Sequence, residues 1–206
     1  GFTAQRTMRV AQQLYEGLPV GDEGGPIGLI SYMRTDSLNL ASDATDELRQ
    51  FIISKYGADQ IPSEVRVFKT TSKNAQEAHE AIRPTSCFRQ PHELKGYLTD
   101  EQYRLYDLIW KRTVACQMIQ ATIDTVSVNL SAGNVGVFRA TGSTIAELGF
   151  MAVYKEGSDE STVPTDDREK TLPPLKIGQK IAQKAIKVEQ HFTQPPPRYT
   201  EASLVK

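Results

Sequence analysis

The period of the hydrophobic pattern changes once along the chain, near Gln120. Before that point apolar residues recur at every third or fourth position, which is the spacing of an amphipathic helix. After it they alternate with polar residues, which is the spacing of a half-buried strand. The pattern therefore predicts an α+β fold, with a mostly helical module at residues 1–119 followed by a β-rich module from residue 120.

Start and stop signals place two helices in the first part of the chain. Thr3 is a good N-cap for a helix that reaches Glu16, and Gly17 ends it. A second helix starts at Ser42 and ends at Gly57, because glycine is common just past a helix. We expect the apolar face of the first helix to be formed by Met8, Ala11 and Tyr15.

The strongest helix signal covers residues 99–118. Thr99 and Gln102 have the spacing of a capping box, in which two side chains satisfy backbone N–H groups reciprocally. The apolar residues that follow predict a broad buried surface. They are Leu105, Leu108, Ile109, Trp110, Val114 and Cys116.

Alternating residues predict three strands in the second module. The first two, at residues 123–130 and 135–140, flank a turn at residues 131–134 and so form a hairpin. A third alternating run covers residues 181–189. Residues 156–170 are polar and acidic without aromatics, and we interpret them as a solvated loop.

The charge balance limits the class of protein. The chain has 24 Lys and Arg against 25 Asp and Glu, a formal net charge of -1. Proteins whose main task is to coat nucleic acid are usually strongly basic, so this class is disfavoured. A local basic patch on one face stays open.

Several further features concern the environment of the chain. No apolar run approaches the roughly 20 residues of a membrane helix, and no signal peptide opens the chain, so we expect a soluble, cytoplasmic protein. Cys87 and Cys116 are not in CxxC spacing, which favours reduced, partly buried thiols. The chain opens without a start Met, and residues 200–205 resemble the beginning of a helix, so we expect an excised piece of a longer protein.

Residues 28–37 (GLISYMRTDS) concentrate groups suited to phosphoryl transfer. Tyr32 offers a phenolic nucleophile, and Arg34 offers a planar fork of donors for phosphate oxygens. Asp36 could orient a basic side chain. Hydroxyl donors are added by Ser31, Thr35 and Ser37. On the residues alone, a surface strand end with a salt bridge remains an alternative.

Residues 73–84 (KNAQEAHEAIRP) form a second polar cluster. On one helical turn His79 and Arg83 would lie one above the other, and Pro84 keeps the helix short. His79 could donate to a phosphate or take part in proton transfer. The alternative is a short surface helix with Glu–Arg pairs and a solvated histidine.

Four stretches of the chain resemble one known family. Residues 30–37 (ISYMRTDS) are similar to the active-site signature of type IA DNA topoisomerases, and the Met33 form resembles the bacterial branch. Further similar stretches occur in the family's order at residues 74–84, 108–118 and 196–206. The resemblance thus spans nearly the whole chain, and four ordered matches favour it over convergence.

The resemblance implies a domain organisation and a reaction. Residues 1–119 correspond to a mostly helical domain carrying the catalytic tyrosine, residues 120–190 to part of the β-rich arch of the toroid, and residues 191–206 to a connector toward the base. In the family a tyrosine breaks one DNA strand through a 5′-phosphotyrosyl bond, another strand passes, and the break reseals without ATP. This relaxes negative supercoils.

By the same resemblance, the residues of the two clusters receive roles. Tyr32 would be the nucleophile, Arg34 would stabilise charge on the scissile phosphate, and Asp36 would keep His79 charged and oriented. Residues expected to contact single-stranded or negatively supercoiled DNA are Thr35, Ser37, Arg83, Arg198 and Tyr199. Tyr199 has an equally plausible structural role.

The chain also departs from the family pattern. Residues 21–26 are an insertion that should lengthen a loop and leave Tyr32 in place. The family binds Mg²⁺ through an acidic cluster on a Toprim domain, and nothing here resembles that cluster or the zinc-ribbon tail. We therefore expect no metal ligand in this chain, Mg²⁺ on the Toprim domain, a monomer, and no activity without the remaining domains. An isolated DNA-holding module and a structural domain with a decayed site are the alternatives.

Overall fold

The structure is a computed structural model. It describes residues 2–21, 24–68, 80–155, 172–185, 187, 188, 190, 192, 193, 195 and 198–205. The chain forms two compact units, each built from two stretches. The first contains Gly1–Thr122 and Glu147–Gly157, and the second contains Ile123–Ala146 and Ser158–Lys206. The predicted α+β class is confirmed.

The first unit is mostly helical. Its helices are α1 (Ala4–Glu16), α2 (Ser42–Tyr56), α3 (Pro91–Leu94) and α4 (Asp100–Cys116). A short antiparallel pair, β1 (Leu18–Pro19) and β2 (Pro26–Ile27), follows α1. Two 3₁₀ turns cover Ala58–Gln60 and Gly149–Ala152.

The predicted helix boundaries are confirmed by their caps. Thr3 Oγ1 accepts the N–H of Arg6 at the start of α1, and Gly17 ends that helix with a φ of 115°. At the start of α4 the backbone N–H of Thr99 donates to Gln102 Oε1 at 3.0 Å, and Thr99 Oγ1 accepts the N–H of Gln102 at 3.4 Å. Both halves of the predicted capping box are therefore formed.

The buried stripe of α1 differs from the predicted face. Val10, Ala11 and Leu14 are buried, whereas Met8 and Tyr15 are 38% and 42% exposed. The backbone N–H of Leu29 donates to the carbonyl of Leu14 at 2.7 Å. The buried residues keep a helical spacing, and only Ala11 belongs to both the predicted face and the observed one.

Aromatic rings form the centre of the first unit. The ring of Phe51 on α2 makes edge contacts with Tyr56, Phe88 and Trp110, with centroids 5.4–6.3 Å apart. Trp110 Nε1 donates to the carbonyl of Cys87 at 2.9 Å. Aromatic pairs of this geometry contribute about 0.5–1.5 kcal/mol beyond their buried area, so they fix α2 against α4.

The second unit contains a hairpin of β3 (Thr122–Ser131) and β4 (Val137–Glu147). The predicted turn is confirmed, since the N–H of Ala132 donates to the carbonyl of Gly136 at 2.9 Å. One face carries polar cross-strand pairs, which are Thr125–Ser143, Ser127–Thr141 and Asn129–Arg139. On the other face Val126 and Phe138 are 55% and 66% exposed.

The chain returns to the first unit close to the point at which it left. Thr122 Oγ1 donates to Glu147 Oε2 at 3.2 Å, and the N–H of Phe150 donates to the carbonyl of Ile119 at 2.9 Å. Gly149, just before Phe150, has a φ of 47°, and a Cβ at this position would lie 2.5 Å from the carbonyl oxygen of Gln120. Only glycine fits this return.

The strand predicted at residues 181–189 is wrong for the residues that the structure describes. Residues 181–185, 187 and 188 form neither strand nor helix. Alternation alone does not make a strand, because a strand needs a hydrogen-bonded neighbour, and the described pairing in this unit joins β3 to β4. Farther on, α5 covers Glu201–Val205. The predicted loop at residues 156–170 lies outside the described residues.

Neither cysteine forms a disulfide within the described part of the chain. Cys87 is buried and Cys116 half-buried, both as free thiols, which confirms the prediction. Burial raises the pKa of the Cys116 thiol to about 11. Within the described ranges, every helix is too short or too polar to cross a membrane.

Candidate active site

The segment before Tyr32 is fixed tightly to α1. Leu29 and Ile30 are buried, and the hydrogen bond from Leu29 to Leu14 ties them to the helix. A Cβ at Gly28 would lie 2.7 Å from the carbonyl oxygen of Tyr15. The sequence therefore needs glycine at position 28 for the chain to approach the end of α1 this closely.

Tyr32 emerges from this fixed segment with 45% of its surface exposed. Its ring stands edge-on to Tyr15, with centroids 5.4 Å apart and planes at 64°. The next residue, Met33, is buried and anchors the backbone on the core side. An external phosphate can therefore reach this phenol, which is not enclosed in apolar packing.

Arg34 and Asp36 follow Tyr32 on the exposed side of the chain. Neither side chain has a hydrogen bond or an ion pair within the part of the chain that the structure describes. The sequence alternative of a strand end with a salt bridge therefore has no support at Arg34. None of the described residues thus engages this guanidinium, which lies two positions from the phenol.

Thr35 and Ser37 form a local turn. Thr35 Oγ1 accepts the N–H of Ser37 at 3.0 Å, and Ser37 Oγ accepts the N–H of Asn39 at 3.2 Å. Ser37 is buried, with 7% exposure. Their predicted DNA contacts stay predictions, and the geometry gives both hydroxyls a role in shaping the backbone.

The end of the second polar cluster is paired with the segment that carries Tyr32. Ile30 and Pro84 form an isolated antiparallel bridge. The N–H of Ser31 donates to the carbonyl of Arg83 at 2.8 Å, and the N–H of Thr85 donates to that of Leu29 at 3.0 Å. Residues far apart in sequence are thus joined next to Tyr32. His79 itself lies outside the described residues, so its predicted role stays a prediction.

Arg83 is engaged inside the chain. Its Nε and Nη2 donate to the two carboxylate oxygens of Glu80 at 2.6 and 3.1 Å, and its Nη1 donates to the carbonyl of Pro84 at 2.9 Å. The side chain is 20% exposed. The predicted contact of Arg83 with a DNA backbone stays a prediction, since this pairing gives the side chain a structural task.

Glu47 on α2 supports residues 86 and 87, although no sequence motif points to it. Its Oε1 accepts hydrogen bonds from Ser86 Oγ at 2.6 Å, from the N–H of Cys87 at 2.9 Å and from the thiol of Cys87 at 3.3 Å. Burial opposes ionisation, but these donors and the charge of Arg83 together hold the pKa of Glu47 below its ordinary value. In the sequence, Glu47 was marked only by its position within the predicted helix that begins at Ser42.

The other predicted residues belong to the second unit. Arg198 and Tyr199 are exposed, Tyr199 to 80%. Their predicted DNA contacts stay predictions. Within the described residues, no three His, Cys, Asp or Glu side chains come together in a group that could hold a metal ion.

Comparisons with known proteins show to which family this chain belongs. The family model described as DNA topoisomerase matches residues 1–206. The chain belongs to the DNA topoisomerase family. DNA topoisomerase 1 from Xylella fastidiosa is 55% identical over 206 residues, and the protein of that name from Rickettsia bellii is 51% identical over 207. This confirms the resemblance to bacterial type IA enzymes.

A solved structure supports the same conclusion. Full-length topoisomerase I from Thermotoga maritima is similar with a TM-score of 0.63 and 34% identity, over 82% of this chain and 26% of that protein. All of this chain matches the Xylella and Rickettsia relatives, but it spans only 25% of their length. Activities of a complete topoisomerase are therefore matters for proposal here.

Proposed function

We propose that this chain supplies the tyrosine with which a bacterial type IA DNA topoisomerase breaks one DNA strand. One observation supports the proposal most strongly. Tyr32 is exposed at the end of a segment that is hydrogen bonded on one side to α1 and on the other to residues 83–85. A nucleophile needs an accessible oxygen and a fixed backbone at once, and Tyr32 combines them.

The chemistry follows from the phenol. Tyr32 Oη attacks the phosphorus of a phosphodiester and loses its proton, while the bond to the 3′-oxygen breaks and that oxygen gains a proton. The product is a 5′-phosphotyrosyl bond. Because the new ester conserves the energy of the broken one, the 3′-hydroxyl can reverse the reaction without ATP. Passage of another strand before resealing relaxes negative supercoils.

Arg34 would stabilise the charge that develops on the phosphate. Its guanidinium is exposed and has no hydrogen-bonding or ionic partner among the described residues. Donors placed at a developing charge are worth about 3 kcal/mol each. Asp36, exposed beside it, would hold the imidazole of His79 charged and oriented toward the phosphate.

Other partners follow from the family. The substrate would be single-stranded and negatively supercoiled DNA, handled by a monomer in the cytoplasm. Mg²⁺ would bind the Toprim domain of the complete enzyme, where it supports DNA cleavage and resealing. No step assigned to Tyr32 or Arg34 depends on a metal held by this chain. The chain by itself would be inactive without the other domains of the enzyme.

A trapping experiment tests the proposal. A complete topoisomerase that contains this chain would be incubated with a labelled single-stranded oligonucleotide and Mg²⁺, then denatured. We expect a covalent DNA adduct at Tyr32 and its complete loss in Tyr32→Phe. Tyr97→Phe is a matched control, because Tyr97 is also a largely exposed tyrosine of the first unit.

Two outcomes separate the alternatives. If Tyr32→Phe still forms the adduct, Tyr32 is not the nucleophile. If neither wild type nor variants form an adduct but all of them bind the oligonucleotide, the chain serves as a DNA-holding module. Mixing the isolated chain with the missing N-terminal portion and Mg²⁺ would then show whether the site can be reassembled from two parts.

A further inference from the structure

Residues 31–41, here called the tyrosine loop, carry Tyr32, Arg34 and Asp36, and both ends of this loop are hydrogen bonded to residues within 80–83. At the first end, the hydroxyl of Ser31 donates to the carbonyl of Ala81 at 2.7 Å and accepts the N–H of Arg83 at 2.9 Å. Both functions of this hydroxyl are therefore used to hold the backbone beside the tyrosine.

The second end of the tyrosine loop returns to the same stretch. The N–H of Ala81 donates to the carbonyl of Asn39 at 2.8 Å. The N–H of Ala41 donates to Glu80 Oε1 at 2.9 Å. The loop is thus closed at its base by Glu80, Ala81 and Arg83, whose bonds span 39 to 52 positions of sequence.

The side chain that completes this closure is itself held in place. Glu80 Oε1 accepts both the N–H of Ala41 and the Nε of Arg83, and Glu80 Oε2 accepts the Nη2 of Arg83. Burial opposes ionisation of Glu80, but these hydrogen bonds and the charge of Arg83 lower its pKa. A two-point guanidinium–carboxylate pair fixes orientation as well as charge.

We propose that the Glu80–Arg83 ion pair is a positioning clamp for the tyrosine loop. Arg83 then acts on the placement of Tyr32 and Arg34 through Glu80 and not through a DNA phosphate. The catalytic part of this inference rests on the proposed function of Tyr32. The closure of the loop rests on the hydrogen bonds alone.

The clamp matters because the loop has few other fixed points. Within the described residues, Met33 and Ser37 are its buried members, whereas Tyr32, Arg34 and Asp36 are exposed. Their spacing around a phosphate therefore depends on the base of the loop. A misplacement of about 1 Å can cost on the order of 100-fold in rate, so we expect a loss of 10- to 100-fold in cleavage when the clamp is broken.

A double-mutant cycle in the complete topoisomerase tests the clamp. The variants are Glu80→Gln, Arg83→Gln and the two combined. We expect each single variant to reduce cleavage, and the combined variant to lose no more than the worse single one, because both changes break one interaction. Amide hydrogen exchange at Ser31, Ala41 and Ala81 should become faster in all three.

A direct phosphate contact by Arg83 predicts a different pattern. In that case Arg83→Gln lowers the slope of log affinity against log salt by about 1 and adds to the effect of Glu80→Gln. An unchanged exchange rate at Ala41 together with additive losses would overturn the clamp. An unchanged salt slope with non-additive losses supports it.

Controls keep the two proposals separable. Lys111→Gln breaks an ion pair with Asp107 on α4 and should leave exchange in the tyrosine loop unchanged. Arg83→Lys keeps the positive charge but loses the two-point contact with Glu80, so its exchange rates should lie between those of wild type and Arg83→Gln. This variant replaces Arg83→Gln in the test if the Arg83→Gln protein fails to fold. Hydrogen exchange needs no DNA, so the clamp can stand even if Tyr32→Phe retains cleavage and the proposed function fails.

Discussion

Around Phe51 the first unit packs four aromatic rings together, whereas the β3–β4 hairpin leaves Val126 and Phe138 more than half exposed. The first unit is fixed by contacts between residues distant in sequence. The hairpin is fixed by neighbours across one turn, through short polar side chains such as Ser127 and Thr141. Tyr32 lies in the first unit, where its backbone is held by hydrogen bonds between residues distant in sequence.

The largest expected effect comes from the aromatic centre. Phe51→Ala should lower the free energy of unfolding of the first unit by about 3–5 kcal/mol, because it removes a buried ring and leaves a cavity. Phe138→Ala, the matched change on the hairpin, should cost less than about 0.5 kcal/mol, since its ring is 66% exposed. Urea unfolding followed by Trp110 fluorescence and by circular dichroism measures both. Equal losses would erase the contrast between the units.

A smaller effect is expected at Gly28. A methyl group there meets the carbonyl of Tyr15 at 2.7 Å, so Gly28→Ala should cost about 1–3 kcal/mol through overpacking. Gly136→Ala in the hairpin turn meets nothing within 4 Å and is the control. Thermal unfolding compares the two, and Gly28→Ala should also displace Tyr32 and weaken DNA adduct formation. A Gly28→Ala protein as stable as Gly136→Ala would contradict the close approach to α1.

The smallest effect concerns acid. Glu47 and Glu80 have pKa values held below their ordinary value of about 4.5 in the folded protein. Their contribution to stability is therefore complete above about pH 4.5 and is lost as the pH falls through the lowered folded values. Urea midpoints between pH 7 and pH 3 should fall, and the fall should be shallower in Glu47→Gln/Glu80→Gln. An identical acid dependence in that variant would show that these carboxylates are not the cause.

Local signals in the sequence predicted much of the first unit. The caps at Thr3, Gly17 and Thr99 follow from single residues at fixed offsets, and the structure has all three. The same reasoning failed for residues 181–189, because a strand depends on a partner that alternation does not name. The predicted face of α1 shared only Ala11 with the buried stripe of Val10, Ala11 and Leu14, because helical spacing alone does not decide which of two neighbouring stripes faces the core.

The candidate site was found by its motif and explained by its contacts. Tyr32, Arg34 and Asp36 could be named from one short stretch, and the structure leaves all three exposed. The residues that hold their backbone could not be predicted from the sequence. The N–H of Ala41 donates to Glu80 and the hydroxyl of Ser86 donates to Glu47, each across 39 positions of sequence. Such pairs follow only from the folded backbone.

The hydrogen bond between Thr122 and Glu147 has a consequence for how this protein can vary. The hairpin leaves and rejoins the first unit through two adjacent points, so adding or deleting matched residues at its tip changes neither the span between those points nor the frame around Tyr32. The length of the hairpin can therefore differ between related sequences without any shift of the backbone that carries Tyr32.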